Sequence, residues 1–211
     1  MNSRRTPGLA RPYYTAGFPA SVPLLHGSRV KSFDGEATAE VSATSGPLKS
    51  DTGELVWSGY SDHTGVVTID SPRSQGLVGF VRQNDVGVTN LTATVRNNFC
   101  AIVLNALDSD SIAQASRLLL TTGTRVENTG MQWDPTRSRV TEQGHAPTLI
   151  EPLTGTIVLR NLYGAVRVLA QPLDGTGHRL GESILARKTA GGWEIPVGQP
   201  ATTWYEIRIE R

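Results

Sequence analysis

Carboxylates, hydroxyls and histidines are spread along the whole chain, and their spacing decides which chemistry is open to it. Hydrolysis of a glycosidic bond by paired acids needs two carboxyl groups about 5 to 10 Å apart across a cleft. Asp51 or Glu54 with Asp70, and Glu127 with Asp134 or Glu151, are the pairs on offer. Each of these acids stands in a turn or at the end of a strand-like run, where a carboxylate ordinarily solvates a corner. Nothing in the spacing sets two of them face to face, so no catalytic residue is assigned.

Nucleophilic and metal chemistry fare no better. His26, His63, His145 and His178 are scattered, and no Gly-x-Ser-x-Gly elbow occurs. Ser74 in Pro72-Arg73-Ser74-Gln75-Gly76 lacks the first glycine of that elbow and reads as a structural corner. A solitary cysteine excludes a thiolate zinc site and any intrachain disulfide. Cys100 lies in the apolar run 99–104 and reads as a buried, inert thiol. Asp108-Ser109-Asp110 is a fragment of a calcium loop without its downstream glycine and glutamate. Structural calcium is the one metal alternative kept, and no cofactor is expected.

Carbohydrate recognition asks for something else: flat aromatic faces for the apolar side of a pyranose, with amides, carboxylates and guanidinium groups for its hydroxyls. Trp57, Tyr60, Trp133, Trp193, Trp204 and Tyr205 are the aromatic set. Trp57 and Tyr60 flank a turn-like Ser-Gly, and Trp133 lies among Asn128, Gln132, Asp134 and Arg137. Those seven residues, Trp57, Tyr60, Asn128, Gln132, Trp133, Asp134 and Arg137, form the candidate sugar-facing set. The competing reading is that Trp133 pins a loop onto the body of the protein. Trp204 and Tyr205 are neighbours in a strand-like run and must face opposite ways, one into the core and one out. An aromatic content of 6% argues against a dedicated, tight polysaccharide binder.

The elements that must position these groups are strands. Alternation of apolar and polar residues, bounded by Gly, Ser, Asp or Pro, predicts strands over 28–33, 37–44, 54–57, 66–69, 77–81, 88–95, 99–107 and 117–126. The series continues over 149–151, 156–160, 165–173, 183–188, 193–197 and 203–210. About fourteen strands at this spacing imply an all-β, antiparallel sandwich. A small appended C-terminal β unit after residue 147 is an alternative. Hairpin turns are expected at Asp34-Gly35, Asp174-Gly175 and Gly191-Gly192. The one helical candidate is 110–120 with Asp110 as N-cap, in competition with a strand that continues through Leu118-Leu119-Leu120. Residues 131–147, rich in Gly, Pro, Thr and charge, read as a long surface loop and a sub-boundary.

Two hundred and eleven residues suffice for one large β domain. Twenty basic against nineteen acidic side chains give no field that would draw nucleic acid or an anionic membrane. Pro7, Pro12, Pro19 and Pro23 break every early apolar run short of a signal peptide or membrane span. Residues 1–23 therefore read as a proline-rich linker or arm of a longer chain, ahead of a domain over 24–211.

The blocks TGELVW, GVVTIDSPRSQGLVGF, RLLLTTGTRVENTGMQW, PTLIEPLTGTIVL, QPLDGTGHRLGE and TTWYEIRIER resemble the C-terminal β-rich region of large bacterial multidomain glycoside hydrolases. The resemblance covers about residues 22–211. It implies an accessory β-sandwich that follows a catalytic barrel, supports it or touches polysaccharide, and is extracellular or periplasmic as part of a secreted protein. This chain departs from the complete family by lacking the barrel and its paired carboxylates. The expectation is a non-catalytic structural module with weak glycan contact, whose partner is a catalytic domain or a polysaccharide. A true carbohydrate-binding module and a self-contained hydrolase are the alternatives.

Overall fold

Period-two alternation is realised almost throughout. In the computed structural model, which describes residues 25–27, 46–59, 64–84 and 86–211, the strands form two antiparallel layers and a projecting arm. The larger sheet runs in the order β1 (Leu48–Lys49), β2 (Leu55–Ser58), β3 (Val66–Asp70), β4 (Ser74–Gly79), β6 (Cys100–Ala106), β7 (Arg117–Gly123), β17 (Trp204–Glu210), β13 (Arg167–Leu173) and β14 (Ile184–Leu185). The smaller runs β15 (Arg187–Thr189), β16 (Gly192–Val197), β12 (Gly155–Leu159) and β5 (Leu91–Val95). The expected arm over 1–23, the strands 28–33 and 37–44 and the Asp34-Gly35 turn lie outside the described residues.

One continuous core fills the space between the layers. Ile102, Leu104, Leu118, Leu120, Tyr205 and Ile207 of the larger sheet meet Leu91, Ile157, Leu159 and Ile195 of the smaller, all fully buried. At about 25 cal/mol per Å² of apolar surface, each such side chain contributes roughly 1.5 to 3 kcal/mol.

Two polar devices fix how the layers meet. Gln75 on β4 and Asn90, just before β5, are both buried. Gln75 Nε2 donates to Asn90 Oδ1 at 3.0 Å, and the Asn90 backbone N–H donates to Gln75 Oε1 at 2.8 Å. Asn90 Nδ2 then donates to the Arg160 carbonyl at 2.9 Å, at the exit of β12. At the other end the buried Tyr205 hydroxyl accepts from the Gly198 N–H at 3.1 Å. Burial pushes that phenol up, and the Gly198 bond offsets part of the rise. Gly198 sits at φ +105, and a Cβ there would meet the Leu153 carbonyl oxygen at 2.7 Å. Only glycine fits so close an approach.

Several sequence expectations are revised. Residues 110–115 form turns, and β7 starts at Arg117. Asp108 Oδ1 accepts from the N–H groups of Ser116 and Arg117, both at 3.1 Å, and steers the chain into the strand. Leu118 and Leu120 then face the core and Leu119 the other side, an alternation a helix would lose. The C-terminal strands are not an appended unit. β12 pairs with β5, and β17 lies between β7 and β13, so both layers need them to close. The Gly191-Gly192 hairpin joins β15 to β16 as expected. At the Asp174-Gly175 turn, Asp174 Oδ1 accepts from Thr176 N at 2.8 Å, Thr176 Oγ1 at 2.7 Å and His178 N at 3.0 Å. These donors hold its carboxyl below the usual range.

Removing one amide of the buried pair strands the other. Asn90→Ala is expected to lower stability in urea unfolding by about 2 to 3 kcal/mol, the cost of an unsatisfied buried donor and acceptor. A loss indistinguishable from that of a surface alanine would show that the pair does not fasten the layers.

Candidate functional site

The presumed loop 131–147 is part of an ordered arm. β8 (Val126–Thr129) pairs with β11 (His145–Ile150), and β9 (Gln132–Trp133) with β10 (Val140–Glu142). The arm is closed at its base by Thr124 Oγ1 donating to the Glu151 carbonyl and by Glu151 N–H donating to the Arg125 carbonyl at 2.9 Å. Within the β8–β11 ladder the register shifts between His145 and Thr148, and Gly144, at φ +68, lies so close to the Thr129 carbonyl that a Cβ there would sit 2.5 Å from its oxygen. Gly, Pro and Thr gave this segment the composition of a loop, but its residues are paired, His145 with Thr129 sixteen positions away, in a ladder that continues to Ile150 opposite Val126.

Five of the seven candidate residues come together on this arm. Trp133 Nε1 donates to Glu127 Oε1 at 3.0 Å. The Arg137 guanidinium pairs with the same oxygen and lies 5.4 Å over the Trp133 ring, a cation–π contact. Asn128 ties the two strands, accepting from Thr148 Oγ1 at 2.9 Å and donating to the Gln143 carbonyl at 3.1 Å. Asp134 folds the tip, its oxygens accepting from Ser138 N at 2.8 Å, Ser138 Oγ at 2.9 Å and Thr136 Oγ1 at 3.2 Å. Desolvation acts upward on the Asp134 carboxyl, but the Ser138, Arg139 and Thr136 donors outweigh it and hold it below the usual range. Of the five, Gln132 alone is exposed and makes no side-chain hydrogen bond among the described residues. The cluster is chiefly a brace that stiffens the arm, centred on Glu127, which the sugar-facing set omitted.

Glu127 and Glu151 share one basic partner, while Glu54 and Asp70 are neighbours across β2 and β3, the Asp70 N–H donating to the Glu54 carbonyl at 2.8 Å. Arg125 Nε lies 4.0 Å from Glu127 and 3.8 Å from Glu151. The guanidinium thus stands beside both carboxylates. Asp51 pairs with His26 at 3.3 Å, and Asp70 accepts from the Thr89 N–H at 3.2 Å and its hydroxyl at 2.9 Å. Among the described residues no group of three His, Cys, Asp or Glu could hold a metal ion. In the Asp108-Ser109-Asp110 fragment, Asp108 is engaged by backbone N–H groups and Asp110 points into solvent. Cys100 is fully buried, and that burial pushes its thiol up to about 11.

Trp57 stands apart from the arm cluster, on β2, and Tyr60 and His63 lie outside the described residues. Trp57 lines a shallow depression of about 400 Å³ with Gly65, Val67, Val78, Gly79, Phe80 and Phe99. Phe80 and Phe99 meet edge to face, 5.7 Å between centroids. Among the described residues no polar side chain other than the Trp57 indole lines it.

The depression opens on the larger sheet's outer face. Cross-strand register places Trp57, Val67, Val78 and Ala101 in one row across β2, β3, β4 and β6. A second row carries Leu55, Ile69, Gly76, Val103, Thr121 and Trp204 across six strands. All but Gly76 are half-buried or exposed. At about 4.8 Å between strands and about 6.7 Å between rows, with the Phe80/Phe99 row included, the patch spans roughly 400 to 500 Å². That footprint is of the size of the largest patch on a typical monomer, which is often functional. Beyond it the face turns polar, with Glu206 between Arg117 and Arg208 at 2.8 and 2.9 Å.

A further groove, about 590 Å³, lies at the end of the smaller sheet between β5, β12, β16 and β14. No family model, curated protein or solved structure matches the chain, so the functional argument rests on these surfaces.

Glu206 supplies a pH dependence. Partial burial acts upward on its carboxyl, but hydrogen bonds and charge from Arg208 and Arg117 prevail and hold it below the usual carboxylate range. A depressed carboxyl stabilises the fold above its unfolded pKa, and that contribution disappears as pH falls through the folded pKa. Glu206→Gln is therefore expected to be less stable than the parent at pH 7 by about 1 kcal/mol and nearly equal to it at pH 3. Denaturant unfolding at both pH values checks this, and an equal deficit at each would refute it.

Proposed function

We propose that the chain is a non-catalytic β-sandwich accessory module of a secreted glycoside hydrolase, and that its main work is to pack against a neighbouring folded domain. The outer face of the larger sheet carries this reading. Val67, Val78, Val103, Ile69 and Leu55 are aliphatic groups of the kind that fill protein cores, and they lie on the solvent side of a sheet whose inner side already has its own core. Thr121 supplies the one side-chain hydroxyl within the two rows, so sugar hydroxyls laid on this face would lose water without replacement. The occupant that fits is the apolar helix or sheet face of a protein domain.

Glycan contact is the secondary role, assigned to the exposed side of the arm at Gln132 and Trp133. One observation favours a second reading, a true carbohydrate-binding module: the arm projects an indole beside a guanidinium and an exposed amide, groups that suit a sugar. The internal bonds of Asn128, Asp134 and Glu127 leave few of its polar atoms for a ligand.

Affinity-gel electrophoresis on a panel of soluble polysaccharides, with reducing sugar assayed in the same samples, tests these readings. Weak retardation or none, without sugar release, is expected. Sugar release overturns the non-catalytic claim, and strong retardation abolished by Trp133→Ala replaces the docking module with the binding module. On the docking side, Val67→Lys with Val103→Lys is expected to cut the fluorescence of a bound hydrophobic dye severalfold while leaving the unfolding midpoint nearly unchanged, because both positions face outward. Dye binding that persists undiminished would show that the patch is not the exposed apolar surface.

A further inference from the structure

We propose that the groove at the end of the smaller sheet binds a neutral saccharide ring, at a site separate from both the arm and the outer apolar face. The register makes Thr94 and Thr156 cross-strand partners and sets Thr156 opposite Pro196, so these three side chains stand in a row on one side of the sheet. Arg96 and Gln199 also line the groove, and Ile184 adds an apolar wall. The hydroxyls of Thr94 and Thr156, the Arg96 guanidinium and the Gln199 amide make no side-chain hydrogen bond among the described residues. Four polar residues that make no side-chain hydrogen bond to the fold, Thr94, Arg96 and Gln199 exposed and Thr156 half-buried, thus line one concavity whose volume of about 590 Å³ lies within the range of ligand sites.

Their chemistry selects the ligand class. Each sugar hydroxyl is both donor and acceptor, and it is matched by threonine hydroxyls and a carboxamide, which are both as well. The aliphatic surface of Pro196 and Ile184 suits the C–H face of a pyranose. With one arginine and no carboxylate in the lining, the groove has nothing to hold a cation, and too few N–H donors to enclose a phosphate.

The walls are fixed in advance. The N–H of Gly198 is bonded to the buried Tyr205 hydroxyl, while Asn97 accepts from Thr154 N at 2.8 Å and donates to the Pro152 carbonyl at 3.1 Å. A fixed backbone lowers the ordering entropy of binding, leaving chiefly the Arg96 and Gln199 side chains to be ordered by a ligand.

Amide NMR spectra of the chain, titrated with glucose, galactose, mannose, xylose and their β-linked disaccharides, test the assignment. Saturable shifts are expected at Thr94, Thr156, Gly198 and Gln199 with at least one of these sugars. The combined Arg96→Ala and Gln199→Ala variant is expected to weaken that binding about five-fold or more, the loss of one to two net hydrogen bonds. Thr156→Val, nearly isosteric, is expected to weaken it without changing the unfolding midpoint, and Trp133→Ala to leave it intact. Shifts confined to the arm and removed by Trp133→Ala would overturn the proposal, as would the absence of saturable shifts with every sugar.

Discussion

The structure depends on how two sheets of unequal width are held over one core. Apolar contact alone lets facing sheets slide and rotate, because dispersion and hydration have little directional preference. The Gln75–Asn90 pair removes that freedom. It carries directional bonds through the interior, reaches the Arg160 carbonyl, and so ties β4 of the wide layer to the entrance of β5 and the exit of β12 in the narrow one. Tyr205 does the same at the opposite end through Gly198. With both ends fixed, the four-stranded layer covers a defined part of the nine-stranded one, and everything on the outer side of the wide sheet is left to another use.

That division explains why the surfaces differ in chemistry. The wide sheet is apolar on both sides over β2, β3, β4 and β6, which is the pattern of a sheet with material on both faces. The narrow sheet follows the other rule, with Ile157, Leu159, Ile195 and Val197 turned inward and Thr92, Thr94, Thr156 and Glu194 outward. A docking role for the first and a wetter, hydrogen-bonding role for the end of the second follow from the same strand alternation read on two layers. The arm fits neither layer. A two-stranded ribbon is marginal on its own, and the bonds of Glu127 to Trp133 and Arg137 supply the bracing that a third strand would otherwise give.

Much of this was legible in the sequence and some was not. The runs at Leu55-Val56-Trp57, Val66 to Asp70 and Trp204 to Glu210 became strands, Tyr205 is the core partner of an outward Trp204, and Cys100 is buried. Local pattern sufficed there because alternation and turn residues act over a few positions. It failed for the arm, where Asn128 opposite Thr148 is a long-range pairing that loop-like composition conceals. For Leu118-Leu119-Leu120 the strand reading held, and only the competing helix over 110–120 gave way to turns. Sheet order is the least local property of all. Trp57 and Trp133 look like members of one aromatic set in the sequence, yet one belongs to a flat sheet face and the other to the arm.

The same reasoning applies to the acids. Glycosidase carboxylates need a cleft that admits a sugar between them, and a sandwich with filled layers offers its acids only edges and turns. Asp70, Asp108, Asp134 and Asp174 all accept hydrogen bonds from the backbone N–H groups of nearby loops. Glu127, Glu206 and Glu194 are paired with arginines. Carboxylates engaged in this way hold corners, and moving one into a reactive role would release the loop or strand it restrains. The surfaces left over differ accordingly, carbon on the outer side of the wide sheet and hydroxyl and amide groups at the end of the narrow one.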